Sequence, residues 1–555
     1  MNLYKIGVSG IAAAEARINT TAHNIANMGT AGYTRQSVMT SSAGAQAAIN
    51  GYIGRGVQVD TVMRQYDAFL YQQLSVAQGK GAQVSAQAGM LEQVSALVAD
   101  RTTGISPALN TFFKSVNALA SSPADAAVRQ DLIGQANTLV TQINDAHAQL
   151  DGMRDGINAA FGTSVAQANA HLERIHALNG EIVAARATGH APNDLLDQRD
   201  HALTQLNQII GIESVEKNDV VSVTLASGHA LLAGGQVYAL HAVPADQDAS
   251  RTVLAVTLPG DLGRQSFSDA QLTGGSLSGL AQVRRDTLDS LQSQLGQLSV
   301  GLAQAFNAVH AQGVAPSGKA VDVFTLGAPE TLANRSNGGN ATWNAQYAPV
   351  QTQVDANGAV TVSPLALEAS DYEVRLDGDR YAITRLSDGA VSYSPTDEPL
   401  AIPGLTITLS GTPAQGDSWT IKATSVAARD LAVNIKQADD IAAANAVGGA
   451  ANGQNALALA RLQTQRLFNS SSASVADVYA SAVNRVGVQT KTAIDAREAQ
   501  SSLITQKQAA HQSVSGVNAN EEYTNLMLYQ TQYQANAKVI DTATRMFDAL
   551  LNLQR

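Results

Sequence analysis

Apolar residues near the end of the chain fall into a seven-residue repeat. Leu526, Tyr533, Ile540 and Phe547 recur at intervals of seven, and Tyr529, Asn536, Ala543 and Leu550 follow each of them by three. Two helices that coil together share such a two-position seam, here with Asn536 as its polar interruption. Asn518 or Asn520 is placed to cap the start, and Glu521 and Glu522 suit the positive end of the helix dipole. The beginning of the chain matches it. Tyr4, Ile11, Ile18 and Ile25 also recur at sevens, with Val8 and Ala22 on the same face and Glu15 spoiling it. Neither stretch can bury its seam alone, so the pattern predicts that the two termini meet as a coiled pair and order fully only with partners.

Between the termini the period changes several times. The first helix is expected to stop near Asn27-Met28-Gly29, with the glycine in a left-handed cap, and the chain to about Ile53 reads as turn and polar loop. From Asp67 to Ile210 apolar residues return at threes and fours (Leu91, Val94, Leu97; then Leu109, Phe112, Val116), which predicts long helices broken at Ser121–Asp125. A further helix starts at Pro192, with Asn193 as its cap. From Gly211 the period is two, and Val221–Leu225 and Val253–Leu258 read as strands. Leu280 to His310 is helical. After it Tyr372–Leu376 and Tyr381–Thr384 flank Asp377-Gly378, a hairpin signal, and Leu405–Leu409 and Trp419–Ile421 complete a small sheet. Arg429 to Gln512 reads as helix again, with a Gly/Asn-rich gap at Gly448–Gly453.

The expected fold class is therefore mainly α with β insertions. It comprises a terminal α-helical coiled pair (1–45 with 515–555), an elongated helical rod domain (46–320 with 425–514) holding a β region at about 211–260, and an inserted small β domain (321–424). Few core contacts should cross the ends of the insertion, because they lie where the period changes.

Composition narrows the function. A net charge of −11, with only 15% charged residues, argues against a nucleic-acid partner, which needs a basic face. The absence of cysteine removes disulfides, thiolate metal sites and cysteine nucleophiles. No apolar run reaches the roughly 18 residues of a membrane span. Ile6–Ala14 is mildly apolar, but Gly7, Ser9 and Gly10 interrupt it and Lys5 is the sole early cation, so a Sec-type leader is not expected.

The densest group of possible metal ligands is His190, Asp194, Asp197, Asp200 and His201. Asp194, Asp197 and His201 share a helical face, as a metal would require. The plainer reading is a solvated, capped helix start with Arg199 as counter-charge. His171 and His176 lie about 140° apart around a helix and do not converge. Leu272–Gly279 is glycine-rich but lacks the Lys-Ser/Thr of a phosphate loop. No nucleophile elbow or His-Glu-x-x-His is present. No catalytic, cofactor-binding or metal residue is assigned, and the chain reads as a structural protein rather than an enzyme. Carboxylates that meet only in space, as in a glycosidase, stay open.

Asn24-Ile25-Ala26-Asn27-Met28-Gly29-Thr30-Ala31-Gly32-Tyr33 resembles the N-terminal signature of the bacterial flagellar axial proteins (rod, hook and hook-associated). Asn24, Asn27, Thr30, Gly32 and Tyr33 are its motif positions; Ala31 stands where the family often has Pro. Arg64–Phe69, Pro192–Asp200 and Ser515–Asn518 with Glu521-Glu522 narrow the resemblance to the hook-associated protein 1 family. The resemblance runs in order over both terminal thirds and is weakest in the middle. It implies a secreted structural subunit of the flagellum at the hook–filament junction, exported by the type III apparatus and polymerising through its paired terminal helices. The implied partners are copies of itself, the hook protein, the second junction protein, and a cytoplasmic export chaperone on the C-terminal region. No nucleic acid, cofactor or membrane span is implied. Another axial protein (hook or distal rod), or a secreted hydrolase carried on an axial fold, stays open at this point.

Overall fold

The computed structural model describes every residue except 1, 49–50, 99–103, 190, 319–320, 355–359, 446–448, 450, 469–470 and 554–555. Helix α1 (Asn2–Ala26) leads into four strands, β1 (Gln36–Ser42), β2 (Ala45–Ala48), β3 (Gly51–Gly54) and β4 (Val57–Arg64). β1 pairs antiparallel with β4 and β2 with β3, and backbone bonds at Ala43 and Arg55 join the two pairs into one long ribbon. A polar loop is expected from the sequence only as far as about Ile53, and the structure has strands there instead. The Ala, Gly, Ser and Gln residues of 43–54 carry no apolar alternation, although Val57-Gln58-Val59-Asp60 in β4 does, and the ribbon is held by its own ladder and by packing on α1. The left-handed residue after α1 is Gly32, at φ +80°, and not Gly29.

Four helices follow: α2 (Ala68–Val98), α3 (Ile105–Ser121), α4 (Ala126–Ala187) and α5 (Asn193–Ile209). At 62 residues α4 is about 90 Å long. Its start is capped by Asp125, which accepts from the Ala127 amide at 2.8 Å. At α5 the N-cap is Pro192, and Asn193 spends its side chain on tertiary bonds instead of the cap expected of it.

The β region is two antiparallel sheets. One runs β5 (Ile212–Lys217), β6 (Val220–Leu225), β7 (Ala230–Ala233), β8 (Gln236–Val237) in sequence order. The other is β9 (Leu240–Pro244), β10 (Thr252–Thr257) and β11 (Arg264–Phe267), with β10 central. Helices α6 (Gly275–Val283) and α7 (Asp289–His310) flank a π turn, Arg284–Leu288.

Next come β12 (Phe324–Thr325), β13 (Glu330–Ala333), β14 (Thr342–Tyr347), β15 (Thr352–Val354), β16 (Val360–Val362), β17 (Tyr372–Asp377), β18 (Arg380–Arg385), β19 (Val391–Pro395), β20 (Leu405–Ser410), β21 (Ser418–Lys422) and β22 (Ala432–Val433). Their main sheet has the order β13-β21-β17-β18-β19, and β14 pairs with β20. The β17–β18 hairpin turns at Gly378, φ +68°, as the Asp-Gly signal required. Helices α8 (Gln454–Arg461), α9 (Val475–Ser515) and α10 (Ala519–Leu553) close the chain.

Two expectations change. First, most of 429–453 is irregular rather than helical. The Ala442 amide donates to His310 Nε2 (2.8 Å) and its carbonyl accepts from Asn455 (2.7 Å), so tertiary partners take the bonds a helix would use. Second, the insertion shares its core with the helices. The Phe324 ring lies 5.5 Å from Phe306 and 6.0 Å from Phe112, all fully buried. Gln297 Nε2 donates to the Leu367 carbonyl at 2.9 Å, and the Leu365 amide to that of Leu467 at 2.7 Å. A change of hydrophobic period marks where secondary structure changes, not where burial ends.

Candidate functional site: the terminal helix pair and its polar joint

α1 and α10 pack antiparallel. Gly7 lies under Ile540, Gly10 under Asn536, Arg17 against Gln532 (3.3 Å) and over the Tyr529 ring (5.6 Å), and Asn24 against Glu522 (3.1 Å). The helices approach closely because α1 meets α10 with small residues. A Cβ on Gly7 would sit 2.7 Å from Ile540 Cγ1, and one on Gly10 would sit 2.3 Å from Asn536 Oδ1. Gly7, Ala14, Thr21 and Asn24 are buried on this face.

The apolar row read from the sequence stands beside that contact. Ile11, Ile18 and Ile25 are half-buried, and Tyr4 is 52% exposed. On α10, Leu526, Tyr529, Asn536 and Ile540 are half-buried against α1, whereas Tyr533, Phe547 and Leu550 are exposed. A count of apolar residues passes over glycine. The spacing of Gly7, Ala14 and Thr21 at sevens was the signal available for the contact face.

Beneath the pair, the Asn24–Tyr33 signature turns out to be a hydrogen-bonded joint. Asn24 is 1% exposed; its amide donates to the Gln36 carbonyl (2.9 Å) and to Glu522 (3.1 Å). Its Oδ1 accepts from the Gln36 amide (2.9 Å) and the Tyr33 hydroxyl (2.7 Å). Asn27 donates back to the His23 carbonyl, and the Thr30 hydroxyl donates to Asn27, which together close the end of α1. Gly32 lies against the His201 ring, with 3.1 Å to the nearest atom from where a Cβ would be. The Tyr33 ring meets His23 edge-on at 5.5 Å, and burial with the charges of Asp194, Asp197 and Glu522 pushes the Tyr33 hydroxyl well above its ordinary pKa.

Four separate stretches converge on this joint. Arg35 pairs with Glu521 (2.9 Å) and Glu522 (2.7 Å), and its amide donates to the Ser515 carbonyl (2.9 Å). The Thr34 amide donates to Asp197 (2.8 Å), and the Gln36 side chain to Asp194 (2.8 Å). Asn193 donates to Gln36 Oε1 (3.2 Å) and to the Val62 carbonyl (2.9 Å). Arg64 bridges Asp197 (2.8 Å) and Asp200 (2.9 Å), with its guanidinium 4.4 Å from the centre of the Tyr66 ring. The three runs that carried the family resemblance are thus one polar cluster, which sequence order kept apart.

The helix start at Pro192 is therefore only partly solvated: Asp194 is exposed, whereas Asn193 and Asp197 are buried. Burial pushes the Asp197 and Asp200 carboxyls up, against the pull of Arg64. Their bonded counter-charge is Arg64; the fully buried Arg199 adds its charge to the surroundings of Asp200, as expected of it, but makes its own bonds to Glu216 (2.5 Å) and the Asp219 carbonyl (2.7 Å). His190 lies outside the described residues. Among the described residues no three His, Asp or Glu side chains are placed to hold a metal ion, and no helix is long and apolar enough to cross a membrane. The arrangement is one of charge pairing, hydrogen bonding and helix contact.

Paired terminal helices, seated on a helical body through this signature, define an axial protein of the flagellum. Residues 5–34 match the flagella basal body rod protein family, and 508–553 the C-terminal region of the flagellar basal body rod proteins FlgEFG. Residues 91–324 match the flagellar hook-associated protein FlgK helical domain, and 334–423 the D2-like domain of flagellar hook-associated protein 1. The chain is 35% identical over 560 residues to flagellar hook-associated protein 1 of Escherichia coli K12, covering 100% of both. It is 35% identical over 566 residues to that of Salmonella typhimurium, again covering 100% of both. Its fold matches the flagellar hook junction protein FlgK of Burkholderia pseudomallei with a TM-score of 0.72 at 26% identity, over 80% of this chain and 100% of that one. The chain belongs to the flagellar hook-associated protein 1 family. It is a structural subunit of the extracellular flagellum at the hook–filament junction, and not an enzyme.

Proposed function

We propose that the α1–α10 pair is the polymerising element, and that Tyr4, Ile11, Ile18, Ile25, Leu526, Tyr529, Tyr533, Ile540, Phe547 and Leu550 form the seam that neighbouring subunits complete. The observation that carries this is apolar surface left over after the pair has formed. Tyr4 remains 52% exposed, Phe547 57% and Leu550 62%. Covering such side chains contributes about 1.5–3 kcal/mol each, which is available only when another chain supplies the cover. In this reading 1–45 with 515–555 assemble, 46–320 with 425–514 form the body, and 321–424 is the inserted β domain. The neighbours are copies of this chain, the hook protein on one side and the second junction protein on the other. Before assembly the chain travels through the type III exporter, with a cytoplasmic chaperone holding its C-terminal region.

Phe547→Asp tests the seam. Phe547 is 57% exposed and lies beyond the part of α1 that the structure describes, so thermal unfolding of the free protein should match that of the parent, while incorporation into flagella is lost. Gln534→Asp, on the exposed side of α10, should incorporate. Normal incorporation of the Phe547 variant would remove the basis for the proposal.

A further inference from the structure

The ribbon and the last turns of α10 both overshoot the same end of the helix pair. Along α1 the ribbon is level with Asn24 at Gln36, with Arg17 at Thr40 (2.8 Å) and with Ser9 at Val57 (3.3 Å). Its course from there leads past the start of α1. The β2–β3 arm adds about 20 Å of strand, whereas α1 has only about 10 Å left beyond Ser9. Nothing lies within 4 Å of a Cβ built on Gly44, Gly51 or Gly54, and Tyr52 is 81% exposed with Ile53 at 51%. The tail of α10 is equally bare. With Ile540 opposite Gly7, the residues after Met546 pass beyond the first residue of α1. Met546 is 58% exposed, Phe547 57%, Leu550 62% and Leu551 51%.

The two overhangs also complement each other in charge. The arm, 43–56, has a single charged residue, Arg55, which is exposed. On the tail, Arg545 is tied to Asp541 at 3.2 Å, and among the described residues after it Asp548 is the one charged side chain; Arg555 lies outside the described residues. Among the described residues neither Arg55 nor Asp548 has an ion-pair partner within the chain.

We infer that the β2–β3 arm of one copy lies across the protruding α10 tail of the next copy, with Tyr52 and Ile53 on Phe547 and Leu550 and with Arg55 facing Asp548. This rests on the polymerisation reading above and names the element that covers the exposed part of the seam. The contact is heterologous, one patch meeting a different patch, so it propagates along a ring or helix of subunits and does not stop at a dimer. An arm anchored by its ladder and by α1 at one end loses little freedom on docking, whereas a free peptide would lose much more.

Because the chain contains no cysteine, disulfide trapping reports the contact without background. Tyr52→Cys combined with Leu550→Cys, oxidised in isolated flagella, should give a ladder of covalent multimers that neither single variant gives. Arg55→Asp and Asp548→Arg should each reduce incorporation, and the two together should restore it. A disulfide closing within one chain would overturn the inference. So would incorporation without a ladder, or a charge swap no better than its single changes. If the cysteine pair is itself excluded from flagella, the charge swap decides. Loss of only the arm contact, with Phe547→Asp still excluded, leaves the polymerisation reading standing; a Phe547→Asp chain that enters flagella normally defeats that reading itself.

Discussion

Replacing Arg64 by methionine isolates the charge at the centre of the joint. The Arg64 side chain is 11% exposed, and it faces Asp197 at 7% and Asp200 at 14%. Methionine keeps much of the stem volume and removes the cation bonded to both carboxylates, leaving Asp197 without its ion-pair partner and Asp200 with only the unbonded charge of Arg199. Breaking a buried pair from one side costs about 3–5 kcal/mol, chiefly because the abandoned charge stays desolvated. The loss of the stacked Tyr66 contact adds about 0.5–1 kcal/mol. The chain has two large separate hydrophobic cores, so a single melting temperature does not isolate the joint. Hydrogen exchange of 34–64 and 193–209 is the right one, since the Thr34 amide donates directly to Asp197. Exchange there should accelerate by at least about a hundredfold, equivalent to 2.7 kcal/mol, while α3 and the inserted sheet stay unchanged. The pH dependence has a definite sign. Burial already holds the two carboxyls above their ordinary pKa, and without Arg64 they rise further. The folded variant then takes up protons that the unfolded chain does not, so its deficit shrinks as pH falls from neutrality to about 5. Asp197→Asn with Asp200→Asn in the Arg64→Met background should recover most of the loss. Protection in the single variant equal to the parent's, or no recovery in the triple variant, would refute this account of the joint.

Other expectations follow from particular contacts. Gly10→Val should separate α1 from α10, because its Cβ would fall 2.3 Å from Asn536 Oδ1; circular dichroism and exchange of 519–543 should show a loosened pair, and an unchanged pair would exclude the close approach. His310 is buried and holds the Ala442 amide on Nε2, and burial pushes its pKa down to about 4. With the folded pKa below the unfolded value, its contribution is fully present above about pH 6.5 and is lost, by on the order of 3 kcal/mol, as pH falls to about 4. His310→Gln should flatten that slope in denaturant titrations of the helical body. Excising 321–424 should abolish cooperative unfolding of α3 and α7 in calorimetry, since it strips Phe324 from Phe112 and Phe306. A retained sharp transition would mean that the insertion packs independently.

The sequence by itself determined the elements whose stability is local or periodic. The heptads at the termini, the threes and fours across 67–210, and the alternation in 211–260 and 321–424 each reflect one face of a helix or strand seeking cover, and that requirement is written into residue spacing. Turn chemistry was legible for the same reason: Asp377-Gly378 carries its own backbone preference. Asn518 as the cap of α10 was legible too, and its Oδ1 accepts the Asn520 amide at 3.0 Å. Tertiary structure decided which face met which partner. Gly7 and Gly10 form the contact because absence of a side chain permits approach, a property no hydrophobic count registers. The strands of 36–54 exist through pairing and through packing on α1, so their small residues gave no local cue, whereas the alternation Val57-Gln58-Val59-Asp60 in β4 was a cue left unused. Asn24, Arg35, Arg64, Asp197 and Glu522 were visible only as scattered polar residues in familiar words. Their work depends on distances of about 3 Å between stretches up to 498 residues apart, and sequence spacing carries no information about such closures until the chain has folded.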